Sequence, residues 1–129
     1  MADPFKAEND DEWSQWFAAL RDDQKAKVIK AVTGQSNEIS FLEITHLPHR
    51  FFNESRGLTI LSLYNCEFLA ALPESLGQLQ ALTELDLEGC RSLAALPESL
   101  GQLQALTEIN LSYCESLAAL PESLSLIHI

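Results

Sequence analysis

Basic side chains are scarce: 8 Lys and Arg stand against 19 Asp and Glu in 129 residues, a formal net charge of -11. A surface that acidic repels phosphate backbones and anionic headgroups, so neither nucleic acid nor a membrane is expected among the partners. Long apolar runs are missing as well, since no stretch approaches the ~20 residues of a membrane helix. The opening Met1-Ala2-Asp3-Pro4-Phe5-Lys6 has no apolar run behind its lysine, so no export signal is expected. Cysteine occurs three times, an odd number that points to reduced thiols in a cytoplasmic setting. The five glycines form no phosphate-cradling cluster. His46 and His49 flank Leu47-Pro48, which argues against a shared helix face, and no carboxylate or cysteine pattern completes a metal set. The thiols have no assigned basic activator. No cofactor, no metal and no catalytic set is expected, and the chain is not read as an enzyme.

What is present is a repeat. With 47% hydrophobic residues the chain can bury a core. Leu58, Leu82 and Leu106 stand 24 residues apart, and each opens a segment reading Leu-Thr-x-Leu/Ile-x-Leu-x-x-Cys. Leu69 to Ala81 and Leu93 to Ala105 are the same string, and Leu117 to Leu124 repeats its first eight residues. Within each unit, apolar residues alternate as in Leu85 and Leu87, the period of a strand with one buried face. Pro97 after Leu96 suits the start of a short helical or 3₁₀ segment, where its missing N–H is not needed. Each unit is thus strand, bend, short helical turn and return. One such coil cannot bury enough apolar surface to order itself, whereas stacked coils share a core and bond strand to strand.

The motif Leu82-x-x-Leu85-x-Leu87-x-x-Cys90-x-x-Leu93-x-x-Leu96-Pro97-x-x-Leu100-x-x-Leu103 resembles the leucine-rich repeat family over 58–129. Cysteine at the ninth position followed by Leu-x-x-Leu-Pro resembles repeats of intracellular plant resistance receptors and of many bacterial leucine-rich proteins. The resemblance implies an α/β fold: a leucine-rich repeat solenoid with a short parallel sheet of about four strands on its concave face. Leu61, Leu63, Leu85, Leu87, Ile109 and Leu111 are expected on the inward sheet face, with Leu72, Leu96 and Leu120 behind. Cys66, Cys90 and Cys114 should stack at roughly ~4.8 Å as buried thiols bonded weakly to loop carbonyls rather than as a metal or redox ladder.

Ahead of the array, 1–36 reads as an N-terminal helical cap and 37–57 as a degenerate first repeat, before three 24-residue repeats at 58–129 without a C-terminal cap. Ile39, Leu42 and Ile44 reproduce the strand spacing, and Leu47-Pro48 the Leu-Pro step. Trp13, Trp16, Phe17 and Leu20 form one helical stripe, read as a lid over the first coil rather than a peptide site. Asp10 or Asp11 can cap that helix. Asp22 or Asp23 can cap a second one that carries Ala26, Ile29 and Val32 to the core and ends at Gly34. This lead, followed by Glu38-Ile39-Ser40-Phe41-Leu42-Glu43-Ile44 and Leu47-Pro48, resembles the N-terminal cap of leucine-rich type III secreted effectors of bacterial pathogens. That resemblance implies delivery into a host cell. Some such effectors carry a ubiquitin ligase domain after the repeats, so the alternative reading is the substrate-recognition arm of such an enzyme, its catalytic domain absent here.

Positions that change between copies are the outward strand positions and the two after each cysteine, while the helical returns are invariant. The outward positions should line one concave face: Phe41, Glu43, Thr45 and His46; Ile60, Ser62, Tyr64 and Asn65; Glu84, Asp86, Glu88 and Gly89; Glu108, Asn110, Ser112 and Tyr113. An apolar, aromatic end of Phe41, Ile60 and Tyr64 would adjoin an acidic patch of Glu84, Asp86, Glu88 and Glu108. Glu84 and Glu108 on adjacent strands repel by ~0.8 kcal/mol even in water, which favours a protein partner with a basic segment. Glu74, Glu98 and Glu122, copied with the unit, are read as solvent charges. Ser125-Leu126-Ile127-His128-Ile129 departs from the repeat without a polar cap, so continuation into a longer array is expected, with end-to-end self-association through Leu124, Ile127 and Ile129 as the alternative.

Overall fold

The computed structural model describes residues 11–41 and 43–121. Helices α1 (Asp11–Ala19) and α2 (Asp22–Val32) lead into four strands, β1 (Glu38–Ser40), β2 (Ile60–Ser62), β3 (Glu84–Asp86) and β4 (Glu108–Asn110). The strands pair in parallel in the order β1-β2-β3-β4, with Ile39, Leu61, Leu85 and Ile109 in one row. Each return carries a short helical element: α3 (His49–Glu54) after β1, then 3₁₀ turns at Glu74–Gln78 and Glu98–Gln102. Pro48, Pro73 and Pro97 each stand just ahead of these elements in an extended conformation, so the fixed φ of proline sets the entry without costing a helical hydrogen bond.

The alternation in the sequence becomes the two faces of the sheet. Leu61, Leu63, Leu85 and Leu87 are buried with Leu72 and Leu96 behind them, and Ile109 and Leu111 are half-buried. Leu120 departs from expectation: it is 51% exposed. Among the described residues no further coil covers it. Residues 122–129, including Glu122, Leu124, Ile127 and Ile129, lie outside the described residues.

Copied residues tie each coil to the one before it. Thr59, Thr83 and Thr107 donate their hydroxyls to the backbone oxygens of Asn37, Thr59 and Thr83 at 3.0–3.2 Å. Cys66, Cys90 and Cys114 donate to the oxygens of Phe41, Leu63 and Leu87 at 3.7, 3.2 and 3.1 Å. Glu74 corrects the solvent-charge reading, because its two carboxylate oxygens accept the N–H groups of Glu98 and Ser99 at 3.3 and 3.1 Å. A copied glutamate of one coil thereby satisfies the orphan donors that open the next 3₁₀ turn. Gly77 lets the two 3₁₀ turns approach: a Cβ there would sit 2.7 Å from the Cβ of Ser99.

The helical pair covers the β1 end. Trp13 and Trp16 are 1% and 6% exposed, while Phe17 and Leu20 are partly buried against them. Trp16 stands 6.1 Å from Phe41 and 6.0 Å from Phe51, its indole N–H donating to the His46 oxygen at 2.9 Å. In α2 the buried stripe is Gln24, Val28 and Ala31, not Ala26, Ile29 and Val32. Ala26 and Ile29 are exposed and Val32 is half-buried, because the helix is turned so that a row at i, i+4 and i+7 meets the sheet end. Arg21, not Asp22 or Asp23, occupies its N-cap, with the Gln24 side chain accepting the Arg21 N–H at 3.3 Å. The two aspartates fall in the first turn, where they complement the helix dipole. At the other end Gly34, at φ 78°, forms the expected left-handed stop, with Gln35 N–H donating to Lys30 and Gly34 N–H to Ala31. Asp11 is the first residue of α1 and Asp10 lies outside the described residues.

Candidate functional site

Glu38, Ile60, Glu84 and Glu108 form one outward row across the sheet, and Ser40, Ser62, Asp86 and Asn110 the next. The first coil is therefore in a different register from the one the sequence spacing gives. Phe41 was expected on the concave face and is 0% exposed, packed among Trp16 and Phe51. It occupies the buried position of Leu63, since Ile39 pairs with Leu61. Glu43, Thr45 and His46 likewise leave the sheet and line a separate groove against α1 with Trp16 and Leu20. Leu42 lies outside the described residues. The spacing misled because Ile39-x-x-Leu42-x-Ile44 repeats the pattern of Leu58-x-x-Leu61-x-Leu63, whereas Ile39 pairs with Leu61 and so stands three residues later in the unit.

A groove of about 610 Å³ is lined on the outward face by Ile60, Ser62, Glu84, Asp86, Glu108 and Asn110, and at the β4 end it also reaches the core-side Ile109, Leu111 and Leu120. A second, of about 420 Å³, is lined by Lys27, Lys30, Ser36, Glu38, Ser40, Ile60 and Ser62. Ile60 and Ser62 belong to both, so the two are one trough across the strands. The lysines of α2 were not foreseen as part of this face. They reach it because α2 turns its Lys27 and Lys30 edge toward β1, and Lys27 Nζ donates to the Ser40 oxygen at 3.4 Å. The trough thus runs from Lys27, Lys30 and Glu38 through the uncharged Ile60 and Ser62 to Glu84, Asp86 and Glu108.

The carboxylates are not equivalent. Asp86 Oδ1 accepts the Glu88 N–H at 3.0 Å, and Asn110 Oδ1 accepts the Ser112 N–H at 3.0 Å, so both hold the bend that follows their strand. Glu88 Oε1 accepts from Asn110 Nδ2 at 3.0 Å. Glu84 and Glu108 face each other across β3 and β4 with no hydrogen bond or ion pair from the described residues. They are the outward carboxylates that stand directly opposite one another on paired strands, while Glu38 lies at the far end of the same row.

Tyr64, Glu88 and Ser112 follow the strands and sit on the bend beside the trough, together with Asn65, Gly89 and Tyr113. Glu43, Asn65, Gly89 and Tyr113 all have φ between 57° and 79°, one left-handed residue per coil. Gly89 takes it without strain, and a Cβ there would strike the Asn65 side chain. The aromatic part of the surface is here rather than at Phe41: Tyr64, Phe68 and Tyr113 are 41%, 72% and 70% exposed. Phe68 was missed as an individual residue, although the change at the two positions after each cysteine is its sequence signal.

Burial pushes the Cys90 thiol from near 9 up to about 12, with the thiols of Cys66 and Cys114 adding to the effect. Burial raises Cys66 and Cys114 in the same direction. Thiols so disfavoured as thiolates are weak nucleophiles and poor metal ligands. His46 Nδ1 lies 3.2 Å from the Thr45 hydroxyl and His49 Nδ1 lies 2.9 Å from that of Ser75, so the two rings serve separate local contacts. Among the described residues no group of three His, Cys, Asp or Glu is placed to hold a metal ion.

Stacked parallel strands and leucine rows recur with the 24-residue period of the sequence. The Leucine Rich Repeat family model matches residues 57–79 and 81–103. A search of curated proteins finds no match. Repeats of this class are typically non-catalytic modules of protein–protein interaction, and that is the role the two matched repeats support.

Proposed function

We propose that this chain is a protein-recognition module: a leucine-rich repeat solenoid, capped at its first coil by α1 and α2, that binds a partner protein with a basic segment through its concave face. The observation that carries this is where the copies differ. Leu69 to Ala81 and Leu93 to Ala105 are identical, whereas Ile60, Ser62, Tyr64 and Asn65 become Glu84, Asp86, Glu88 and Gly89 in the next copy. The repeat was copied whole and has since changed on the face that lines the trough and on the bend beside it. Those changes work against the sheet, since they put Glu84 beside Glu108. Contact falls to Ile60, Ser62, Glu84, Glu108 and Asn110 in the trough, and to Tyr64, Ser112 and Tyr113 on the adjoining bend. Asp86 and Glu88 contribute charge while holding the local structure.

The module belongs to a larger protein working in a reducing, cytoplasmic compartment, in keeping with its three unpaired thiols. The likeness of its helical lead to type III effectors supports delivery into a host cell. The test is capture of partners from a host-cell extract by the wild-type chain and by Glu84→Lys with Glu108→Lys, with circular dichroism to establish that both are folded. Loss of the captured partners is expected. An unchanged set of partners at unchanged yield would remove the concave face from the account.

A further inference from the structure

The trough is charged differently at its two ends, and this says something about the segment that fills it. At the α2 end stand Lys27, Lys30 and Glu38; at the other stand Glu84, Asp86 and Glu108; Ile60 and Ser62 lie between. The first group carries one net positive charge and the second three negative charges. Strands about 4.8 Å apart put roughly 14 Å between the β1 and β4 rows, which an extended peptide at ~3.3 Å per residue covers in about four residues. We propose that the trough takes one extended, bipolar segment lying across the strands. An acidic residue lies against Lys27 and Lys30, an aliphatic side chain lies over Ile60, and basic residues about four positions along lie against Glu84 and Glu108. This rests on the concave face being the recognition surface and adds the order of charges within the ligand. A segment basic throughout would set a cation against the two lysines.

The probe is a fluorescein-labelled synthetic peptide of about nine residues, with two aspartates at one end, a central leucine and two lysines at the other. It is made in both chain directions and compared with an all-basic peptide of the same length. Binding is followed by fluorescence anisotropy at roughly 50 mM salt, where screening is weak. One bipolar peptide should bind the wild-type chain, and Lys27→Glu with Lys30→Glu should weaken it about tenfold while strengthening the all-basic peptide. Lys27→Gln with Lys30→Gln, both exposed helix positions, should give the same trend at smaller amplitude with the fold kept. If lysine reversal leaves the preference between the peptides unchanged while Glu84→Lys weakens both, the bipolar order is wrong and the concave-face reading stands. If Glu84→Lys leaves binding of both unchanged, or neither peptide binds, both readings fail.

Discussion

Replacing Glu84 by lysine should stabilise this protein while weakening its recognition, a combination that a merely structural glutamate would not give. Glu84 and Glu108 are direct neighbours in the parallel pair of β3 and β4. Two unit charges about 4.8 Å apart repel by ~0.9 kcal/mol in water, and at physiological salt screening leaves about half of that. Reversing one charge converts repulsion into attraction, a change of ~1.7 kcal/mol at low ionic strength and ~1 kcal/mol at physiological salt. For a chain of this length ~1 kcal/mol shifts Tm by roughly 3–5 °C. Glutamate and lysine are similar in their modest aversion to strands, so intrinsic preference adds little. The assay is thermal unfolding by circular dichroism at low, physiological and ~1 M salt, where the Debye length falls to about 3 Å. Tm should rise at low salt and the gain should shrink toward zero at ~1 M. A Tm that falls, or a gain independent of salt, would show that the two carboxylates do not oppose one another, and the argument that they are kept for a partner would lose its basis.

Glu74→Ala should cost about 1–2 kcal/mol by removing a charge-assisted cap from the next 3₁₀ turn, whereas Glu67→Ala, which removes the same charge from an exposed bend, should be nearly silent in urea denaturation; equal effects would return Glu74 to the solvent. Gly77→Ala should destabilise by about 1–3 kcal/mol by overpacking the contact between the two 3₁₀ turns, and a neutral result in the same denaturation series would mean that the coils can part there freely. Cys90 is raised to about 12, so the unfolded chain loses its thiol proton from near pH 9 while the folded chain keeps it. Folding stability must then fall as pH rises from about 9 to 12, and Cys90→Ala should flatten that fall; a slope unchanged in the variant would assign it to other groups. In thiol labelling under native conditions Cys114 should react before the fully buried Cys66 and Cys90, and simultaneous labelling would contradict the ladder.

The array was legible because its signals are redundant. A period of 24, strands with alternating leucines and a proline before each turn all imply the same stacked coil, and an error in one would be overruled by the others. The first coil lacked that redundancy. Ile39-x-x-Leu42-x-Ile44 repeats the spacing of Leu58-x-x-Leu61-x-Leu63, and following it sets Phe41 at the outward position of Ile60, whereas Ile39 pairs with Leu61. The alternation Glu38-Ile39-Ser40-Phe41 matches Ile60-Leu61-Ser62-Leu63 and was the better guide. In α2 the misplaced face has a different origin. Alanine and isoleucine are apolar on either side of the helix, and its weak stripe was settled by what it packs on, which lies elsewhere in the chain. Lys27 and Lys30 joined the trough through that same rotation, so no pattern local to the helix could have shown it.

Glu74 departs from its solvent-charge expectation for the opposite reason: being copied does not make a residue indifferent to the fold. In a stacked array a copied polar residue is as readily a bond between copies, because every coil presents the same backbone groups to the next at the same distance. Thr59, Thr83 and Thr107, the three cysteines and Glu74 all work this way, each bonding backbone of an adjacent coil. Changing Glu74 removes the acceptor of the Glu98 and Ser99 N–H groups, while the threonine hydroxyls and the Cys90 and Cys114 thiols add a further bond to carbonyls that already accept a main-chain N–H, and both kinds of tie favour the same residue from copy to copy. Apart from Asn110, whose Nδ2 donates to Glu88 of the preceding coil, the outward residues of β2, β3 and β4 meet the adjacent coils through their main chain, so their side chains are free to drift or be selected. What varies in this array is therefore what the stacking does not use. Of those residues, Glu84 and Glu108 are the pair whose placement costs the sheet energy, and a cost retained at a surface the fold does not need is the strongest sign that something outside the chain meets it.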